Sequence, residues 1–278
     1  TKTVAQAMLA KVYAEKEVQD YDKVIAYADK VIKTTGVELE DSYETLWGYD
    51  ETAKDCMKRN TKEGILEVHW TTGSGNWETW MYGRQLDNWD YYFTWAKWIT
   101  PSRDIINDFD KEGDEVRKNQ AIVYYACTWS NYYPASNYPF MYKLRSSCNN
   151  IYWVRLADII LMKAEAEAYK GNLAESAKLV NQIRKRAKLK ELTSDKTGSK
   201  ESMIEAVLHE RRLELAFEGE RWFDLCRNNK VEKYLNGIDN RDSGRIRQVR
   251  QFDSNSYLLP IPQAALDQNT NLEQNPGY

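Results

Sequence analysis

The chain has 278 residues, 42% of them hydrophobic, with 39 Lys and Arg set against 42 Asp and Glu for a formal charge of −3. That length buries a real core in one large domain or two small ones, and the composition is too apolar for disorder. The charge balance offers no field for holding a nucleic-acid backbone, and no apolar run approaches the ~20 residues of a membrane helix, the best one being broken by Asp158.

In chain order, residues 3–16 and 20–33 read as a helical hairpin. Val4, Met8 and Val12 recur at i, i+4, as do Ala10 and Ala14; in the second helix Val24, Ala28 and Val31 share a face and Asp20 is an N-cap candidate. The chain thus opens straight into an amphipathic helix, with no signal peptide, which reads as a truncated start. Residues 36–150 carry no repeat. Within them Ile65 to Trp70 alternates like a strand, 101–125 reads as helical with Pro101 in a first-turn position, and Thr128 to Tyr142 is a Tyr/Pro/Asn/Ser loop.

The helical pattern then returns. Arg155 to Tyr169 places Leu156, Ile160, Ala164 and Ala168 on one face, and Gly171-Asn172 ends it. Asn172 with Glu175 has capping-box spacing for the helix Leu173 to Ala187. The two hairpins superpose in sequence: Ala10-x-x-Tyr13 on Ala166-x-x-Tyr169, and Tyr21, Ile25, Ala28 and Val31 on Leu173, Ala177, Val180 and Ile183. Small residues at a crossing let helices approach closely, as in tetratricopeptide-like pairs, and stacked pairs must share one layer to bury their faces. A third pair follows, Ser199 to Phe217 and a shorter helix through Arg221–Leu225. The fold class is therefore mainly α: tetratricopeptide-like helical hairpins with an irregular, loop-rich, partly β excursion. The helical scaffold covers 1–35 and 151–235, the excursion 36–150, and a C-terminal irregular segment 236–278.

Cysteine and histidine are scarce: Cys56, Cys127, Cys148 and Cys226, and His69 and His209. There is no Cys-x-x-Cys and no His beside a Cys, so the sequence offers no metal site and calls for no cofactor. Cys127 and Cys148 flank the Tyr/Pro loop and would be the first choice for a disulfide, against the plainer reading of small buried hydrophobes. Each His reads as an ordinary satisfied polar residue. No phosphate loop, nucleophile elbow or His-Glu-x-x-His is present.

Two strings near the C-terminus are specific. One runs Glu210-Arg211-Arg212-Leu213-Glu214-Leu215-Ala216-Phe217-Glu218-Gly219-Glu220-Arg221-Trp222-Phe223-Asp224-Leu225. The other runs Tyr257-Leu258-Leu259-Pro260-Ile261-Pro262 through Asn269, Asn271-Leu272 and Gln274-Asn275-Pro276-Gly277-Tyr278. Together with Arg155-Leu156-Ala157-Asp158, Ala164-Glu165-Ala166, Asn181-Gln182-Ile183-Arg184-Lys185-Arg186-Ala187 and the stretch Pro101–Phe109 with Gly113–Arg117, they make the chain resemble the C-terminal part of the SusD/RagB family. Thr270 stands where that family often has Pro. The resemblance implies a surface lipoprotein of the bacterial outer membrane that binds glycans or peptides as a lid on a TonB-dependent transporter. It also implies a longer chain, with a lipobox Cys and further helices ahead of Thr1 that would otherwise cover Val4, Met8 and Val12.

The carboxylates Glu210, Glu214, Glu218 and Asp224 could serve as an acid/base pair. Arg211, Arg212 and Arg221 are interleaved with them, and adjacent Arg depresses a carboxylate pKa, so a structural ion-pair network is the better reading. Six of the ten Trp lie between Trp70 and Trp98. Indole faces suit the C–H face of a sugar ring, and Asn, Asp and Arg suit its hydroxyl rim. Candidate ligand residues are Trp77, Trp80, Trp89, Tyr82, Tyr91, Asn76, Arg84 and Asn88, with Trp95 and Trp98 assigned to the core. The expected function is non-catalytic capture of an oligosaccharide at the outer-membrane surface and its delivery to a TonB-dependent transporter. The rivals are an intracellular helical-repeat adaptor and a helical glycosidase working through Glu78, Asp87 and Asp90.

Overall fold

The computed structural model describes residues 1–71, 76–84, 86, 99–130, 132–244 and 250–278. Its elements run α1 (Lys2–Ala14), α2 (Tyr21–Ile32), α3 (Tyr43–Trp47), β1 (Tyr49–Asp50), β2 (Asp55–Cys56), β3 (Gly64–Val68), α4 (Trp77–Tyr82), α5 (Arg103–Glu112), α6 (Glu115–Ala121), β4 (Ile122–Tyr125), β5 (Tyr138–Met141), β6 (Ile151–Arg155), α7 (Leu156–Lys170), α8 (Leu173–Arg186), α9 (Ser194–Thr197), α10 (Lys200–Glu214), α11 (Arg221–Arg227), α12 (Val231–Leu235) and α13 (Gln263–Gln268). Helices dominate, and the strands form antiparallel two-stranded ribbons, β1–β2, β3–β6 and β4–β5. The chain divides into two compact units, Thr1–Arg221 and Trp222–Tyr278.

In the first unit the two hairpins join one layer, as the repeat predicts. α2 packs on α7, α7 on α8, and α10 on both α7 and α8. Ala28 and Val31 of the first hairpin share a buried cluster with Ile160, Ala164, Val180 and Ile183 of the second and with Met203 and Leu208 of α10. α7 is the central helix, buried almost all round. Its small residues let α8 come close enough for the Ser176 hydroxyl to donate to the Ala164 carbonyl at 2.7 Å. Gly171 ends it in the left-handed conformation, φ 85°, where a side chain is strained.

α1 turns Ala7, Ala10 and Ala14 inward, where alanines suit the close α1–α2 crossing, and leaves Met8 and Val12 exposed and Val4 half-buried, in line with the expectation that this face lies open. Other expectations need correction. Asp20 caps α2 as expected, accepting from Lys23 N, but Asn172 does not cap α8 and instead donates to Glu167 at 2.7 Å. Pro101 precedes the Ser102 cap of α5 rather than occupying its first turn. The helical reading of 101–125 fails over its last residues: α6 stops at Ala121 and Ile122–Tyr125 pairs with Tyr138–Met141, inside the stretch read as a loop. β-branched and aromatic side chains prefer that pleated surface.

The second unit holds α12 and α13 and a C-terminal clip. Gln274 bonds both N and O of Ile261, Asn275 donates to the Leu259 carbonyl, and the Tyr278 hydroxyl donates to that of Leu258. No helix among the described residues is long and apolar enough to cross a membrane.

Candidate ligand-binding surface

α4 is short, and its two ends are fixed differently. Asn76 starts it, its side chain accepting from Thr79 N at 3.1 Å. Gly83 ends it against the segment that follows β5, in a parallel bridge to Met141. A Cβ on Gly83 would fall 1.9 Å from the Leu144 carbonyl, so no other residue fits without moving the backbone. Beyond it Arg84 N bonds the Met141 and Leu144 carbonyls and Leu86 N bonds that of Arg145. Trp77 stands on this clamped helix with 64% of its surface exposed.

The other candidates fall in several places. Asn76 and Arg84 are buried and Tyr82 is half-buried. The Arg84 guanidinium lies 4.3 Å from the Tyr125 ring centre, a cation–π arrangement, and its burial lowers its pKa. The side chain of Trp80, and Asn88, Trp89, Tyr91, Trp95 and Trp98, with Asp87 and Asp90, lie outside the described residues. Among the described residues, Asn76 Nδ2 and Thr79 Oγ1 are buried without a hydrogen-bond partner. Buried polar groups are as a rule bonded, so the foot of α4 is suited to take a water or a hydroxyl.

Three exposed aromatics escaped the sequence reading. Tyr124 and Tyr125 project from β4, and Trp153, 65% exposed, projects from β6 between the buried Tyr152 and Val154. The alternation around Trp153 was a readable signal. The tyrosines were hidden by the helical reading of their segment. The Thr128–Tyr142 loop instead forms its own small core, in which Trp129, Tyr133, Tyr138 and Phe140 meet edge to face, with Arg103 over the rings of Tyr132 and Tyr133.

The segment that clamps α4 is itself tied to a buried ionic hub. Glu214 of α10 accepts from Arg155 at 2.7 Å, Arg186 at 2.5 Å, Arg117 at 3.2 Å and the Tyr43 hydroxyl at 2.6 Å. Glu210 binds Arg117 at 2.7 Å and Arg184 at 2.9 Å. Glu218 binds Arg155 and Lys143, and Glu63 binds Arg155 and Arg186. Glu210, Glu214 and Glu218 are thus tied into the fold by partners from α6, β6, α8 and the segment after β5 rather than by the interleaved arginines. Arg211 instead holds Asp158, and Arg212 holds Asp104 and Asp108. Burial alone would raise the Glu214 carboxyl; the Arg186, Arg155 and Arg117 guanidiniums outweigh it and hold it well below the usual range. Such a group has no proton to give at neutral pH. Burial lowers Lys143 to about 8 although Glu218 is beside it, and its ammonium lies over the Trp47 ring.

Each His is satisfied, His69 by Glu67 at 2.7 Å and His209 by Glu112 at 3.1 Å. No group of three His, Cys, Asp or Glu among the described residues could hold a metal ion. No disulfide joins the four cysteines. Cys127 sits in the aromatic core of its loop and Cys148 elsewhere, beside Ser146, so the structure does not pair them.

A helical layer of this kind is shared by a known class of proteins. The model of the SusD family matches residues 62–278, and the chain belongs to that family. It is 26% identical to SusD-like protein P2 of Formosa agariphila over 321 aligned positions, covering 100% of this chain and 60% of P2. Against SusD-like protein P38 of the same organism it is 36% identical over 135 residues, 46% of this chain and 25% of P38. The chain thus spans less than two thirds of either relative. Among solved structures, a SusD superfamily protein from Bacteroides vulgatus superposes with TM-score 0.74 at 23% identity, covering 100% of this chain and 63% of that one. A laminarin-binding SusD-like protein gives 0.70 at 24%, with coverage of 100% and 63%. At those identities the likeness establishes the fold.

Proposed function

We propose that this chain captures a glycan without cleaving it, at the outer-membrane surface, and delivers it to a TonB-dependent transporter. One observation carries the reading: an indole 64% exposed on a helix that is clamped at its C-terminal end. An exposed Trp on a mobile loop would lose entropy on binding; one on a fixed helix offers a sugar ring a ready platform with two χ angles to restrain. Arg84 and Tyr82 lie at the same end of α4, and Tyr125 extends the aromatic area beside Arg84. Trp80, Trp89, Tyr91, Asn76 and Asn88 complete the proposed surface. Family membership and the laminarin-binding structural neighbour support a carbohydrate as the ligand class. The arginine-bound state of Glu214 supports a non-catalytic role for the carboxylate string.

The test is calorimetry with laminarin and a panel of soluble α- and β-glucans, alongside reducing-end assays of the same mixtures after long incubation. Saturable binding to at least one glycan without new reducing ends is expected. Release of reducing ends would establish a glycosidase, and no binding to any glycan would remove the reading. Co-purification with a TonB-dependent transporter, lost on detergent-resistant separation of the membranes, tests the delivery step.

A further inference from the structure

We propose that Cys56 and Cys148 are a redox pair, which closes to a disulfide when the chain folds in the presence of a small-molecule disulfide. Cys56 ends β2, opposite Tyr49 in the β1–β2 ribbon. Its thiol points to Asn150, with Sγ 3.6 Å from the Oδ1 atom, and Asn150 in turn donates to the Lys58 carbonyl at 2.6 Å. These contacts lay the Cys56 ribbon against the segment leading into β6, two residues from Cys148. The side chain of Cys148 is fully buried there, Sγ 3.4 Å from Ser146 Oγ. Both thiols also act on the carboxylate of Asp55, the residue beside Cys56, which accepts from Cys56 N at 2.7 Å and from Arg59 at 2.5 Å. The Asn150 contact two residues from Cys148 and the shared neighbour Asp55 bring the two cysteines into one neighbourhood, the first requirement for a disulfide. Cys127 packs instead with Tyr133, Tyr138 and Phe140.

The chemistry balances with oxidised glutathione as the oxidant. The Cys56 thiolate attacks one of its sulfurs, breaking that S–S bond and releasing one glutathione thiolate. The Cys148 thiolate then attacks Cys56 in the mixed disulfide and releases the second. Two protons pass from the cysteines to the two departing thiolates, and two electrons pass to glutathione. In the folded protein burial pushes the Cys56 thiol up to about 12, so closure is slow at neutral pH and is favoured during folding, before the ribbon seats. Once formed, the bond links the two ends of a segment of roughly 90 residues that includes α4 and the β4–β5 ribbon, which restricts the unfolded chain far more than a short loop would.

The test is to refold the chain at mildly alkaline pH in a reduced/oxidised glutathione buffer, quench with acid, alkylate under denaturing conditions and map the peptides by mass. The expected result is a linked peptide pair containing Cys56 and Cys148, lighter by two hydrogens, with Cys127 and Cys226 alkylated. Cys127→Ser should leave that link intact, and Cys148→Ser should leave Cys56 alkylated or joined to glutathione. Reductant should lower the melting temperature of the linked protein by about 10 °C. Four alkylated cysteines after refolding, or a link through Cys127 or Cys226, would overturn the pairing. Mapping the unsubstituted chain decides the question even where a variant fails to fold.

Discussion

The regions around α10 and around α4 both concentrate residues that bind things, and they use them in opposite ways. Around α10, Glu210 and Glu214 are buried and every carboxylate oxygen faces a guanidinium or a hydroxyl of the same chain. Around α4, the helix itself is pinned by backbone bonds and a glycine contact, and its indole is left outside. Binding capacity spent inside the molecule becomes architecture, whereas an indole 64% exposed still offers its face to whatever approaches from outside. Density of functional side chains in a sequence does not distinguish the two; satisfaction within the fold does.

The widest separation between the regions should come from Glu214→Ala. It leaves the buried Arg117 and Arg155, with Arg186, sharing fewer anions, at roughly 3–5 kcal/mol. Urea unfolding should show the loss as a shifted midpoint with little change in slope. The pH dependence has a definite sign. The folded-state carboxyl lies below its unfolded value, so its contribution is present above that value, about 4.3, and is lost as pH falls below it. The parent should weaken steeply in acid and the variant less so. Equal acid sensitivity in both would mean that Glu214 is not the anion that matters.

Gly83→Ala comes next. The added methyl meets the Leu144 carbonyl, so the segment after β5 or α4 must shift, and overpacking of this kind costs roughly 1–3 kcal/mol. It should also weaken glycan binding, because the Trp77 platform moves with its helix. Full affinity in a destabilised variant would separate the clamp from the ligand surface. Trp77→Ala should do the converse and lower affinity about tenfold, ~1.4 kcal/mol, with the melting temperature within a degree or two of the parent. Trp153→Ala is the matched control, equally exposed on β6; calorimetry of both shows whether exposure alone or the α4 setting makes a platform.

Much of the helical layer was legible because 3.6-residue periodicity is a local property. Val24, Ala28 and Val31, or Ile160 and Ala164, announce their buried face without knowing what covers it. β4 was missed at the point where a helical reading ran on past Ala121 into Ile122-Val123-Tyr124-Tyr125, a β-prone run whose partner lies beyond an intervening loop. The hub was legible in kind but not in membership. Glu210 and Glu214 stand one turn apart on one face of α10, whereas Arg211 and Arg212 are rotated off that face by the helix itself. The true partners, Arg117, Arg155, Arg184 and Arg186, are distant in sequence, and only the packing of α6, β6 and α8 on α10 brings them in. The aromatic surface was legible as density around Trp77, while the exposed Tyr125 and Trp153 depended on strand pairings that the residues alone did not reveal.

The smallest expected effect lies at the rim of the hub. Glu112 ends α5 and is held by His209 at 3.1 Å and by Arg184 at 3.1 Å. The His209 hydrogen bond and the Arg184 charge, acting against partial burial, lower its carboxyl to about 2. The contribution is therefore present above the unfolded value of about 4.3 and is lost as pH falls toward 2. A shift of that size would suggest about 3 kcal/mol, but the group is half in water, and exposed pairs deliver under about 1 kcal/mol. His209→Ala should accordingly cost less than about 1 kcal/mol at pH 5, with the cost shrinking between about pH 4 and pH 2 as Glu112 gains its proton. Glu112→Gln should abolish that pH dependence in the parent and in the His209 variant alike. A cost of several kcal/mol, unchanged across that window, would move His209 from the rim into the hub and erase the boundary between buried, satisfied charge and solvent-screened charge at this edge of α10.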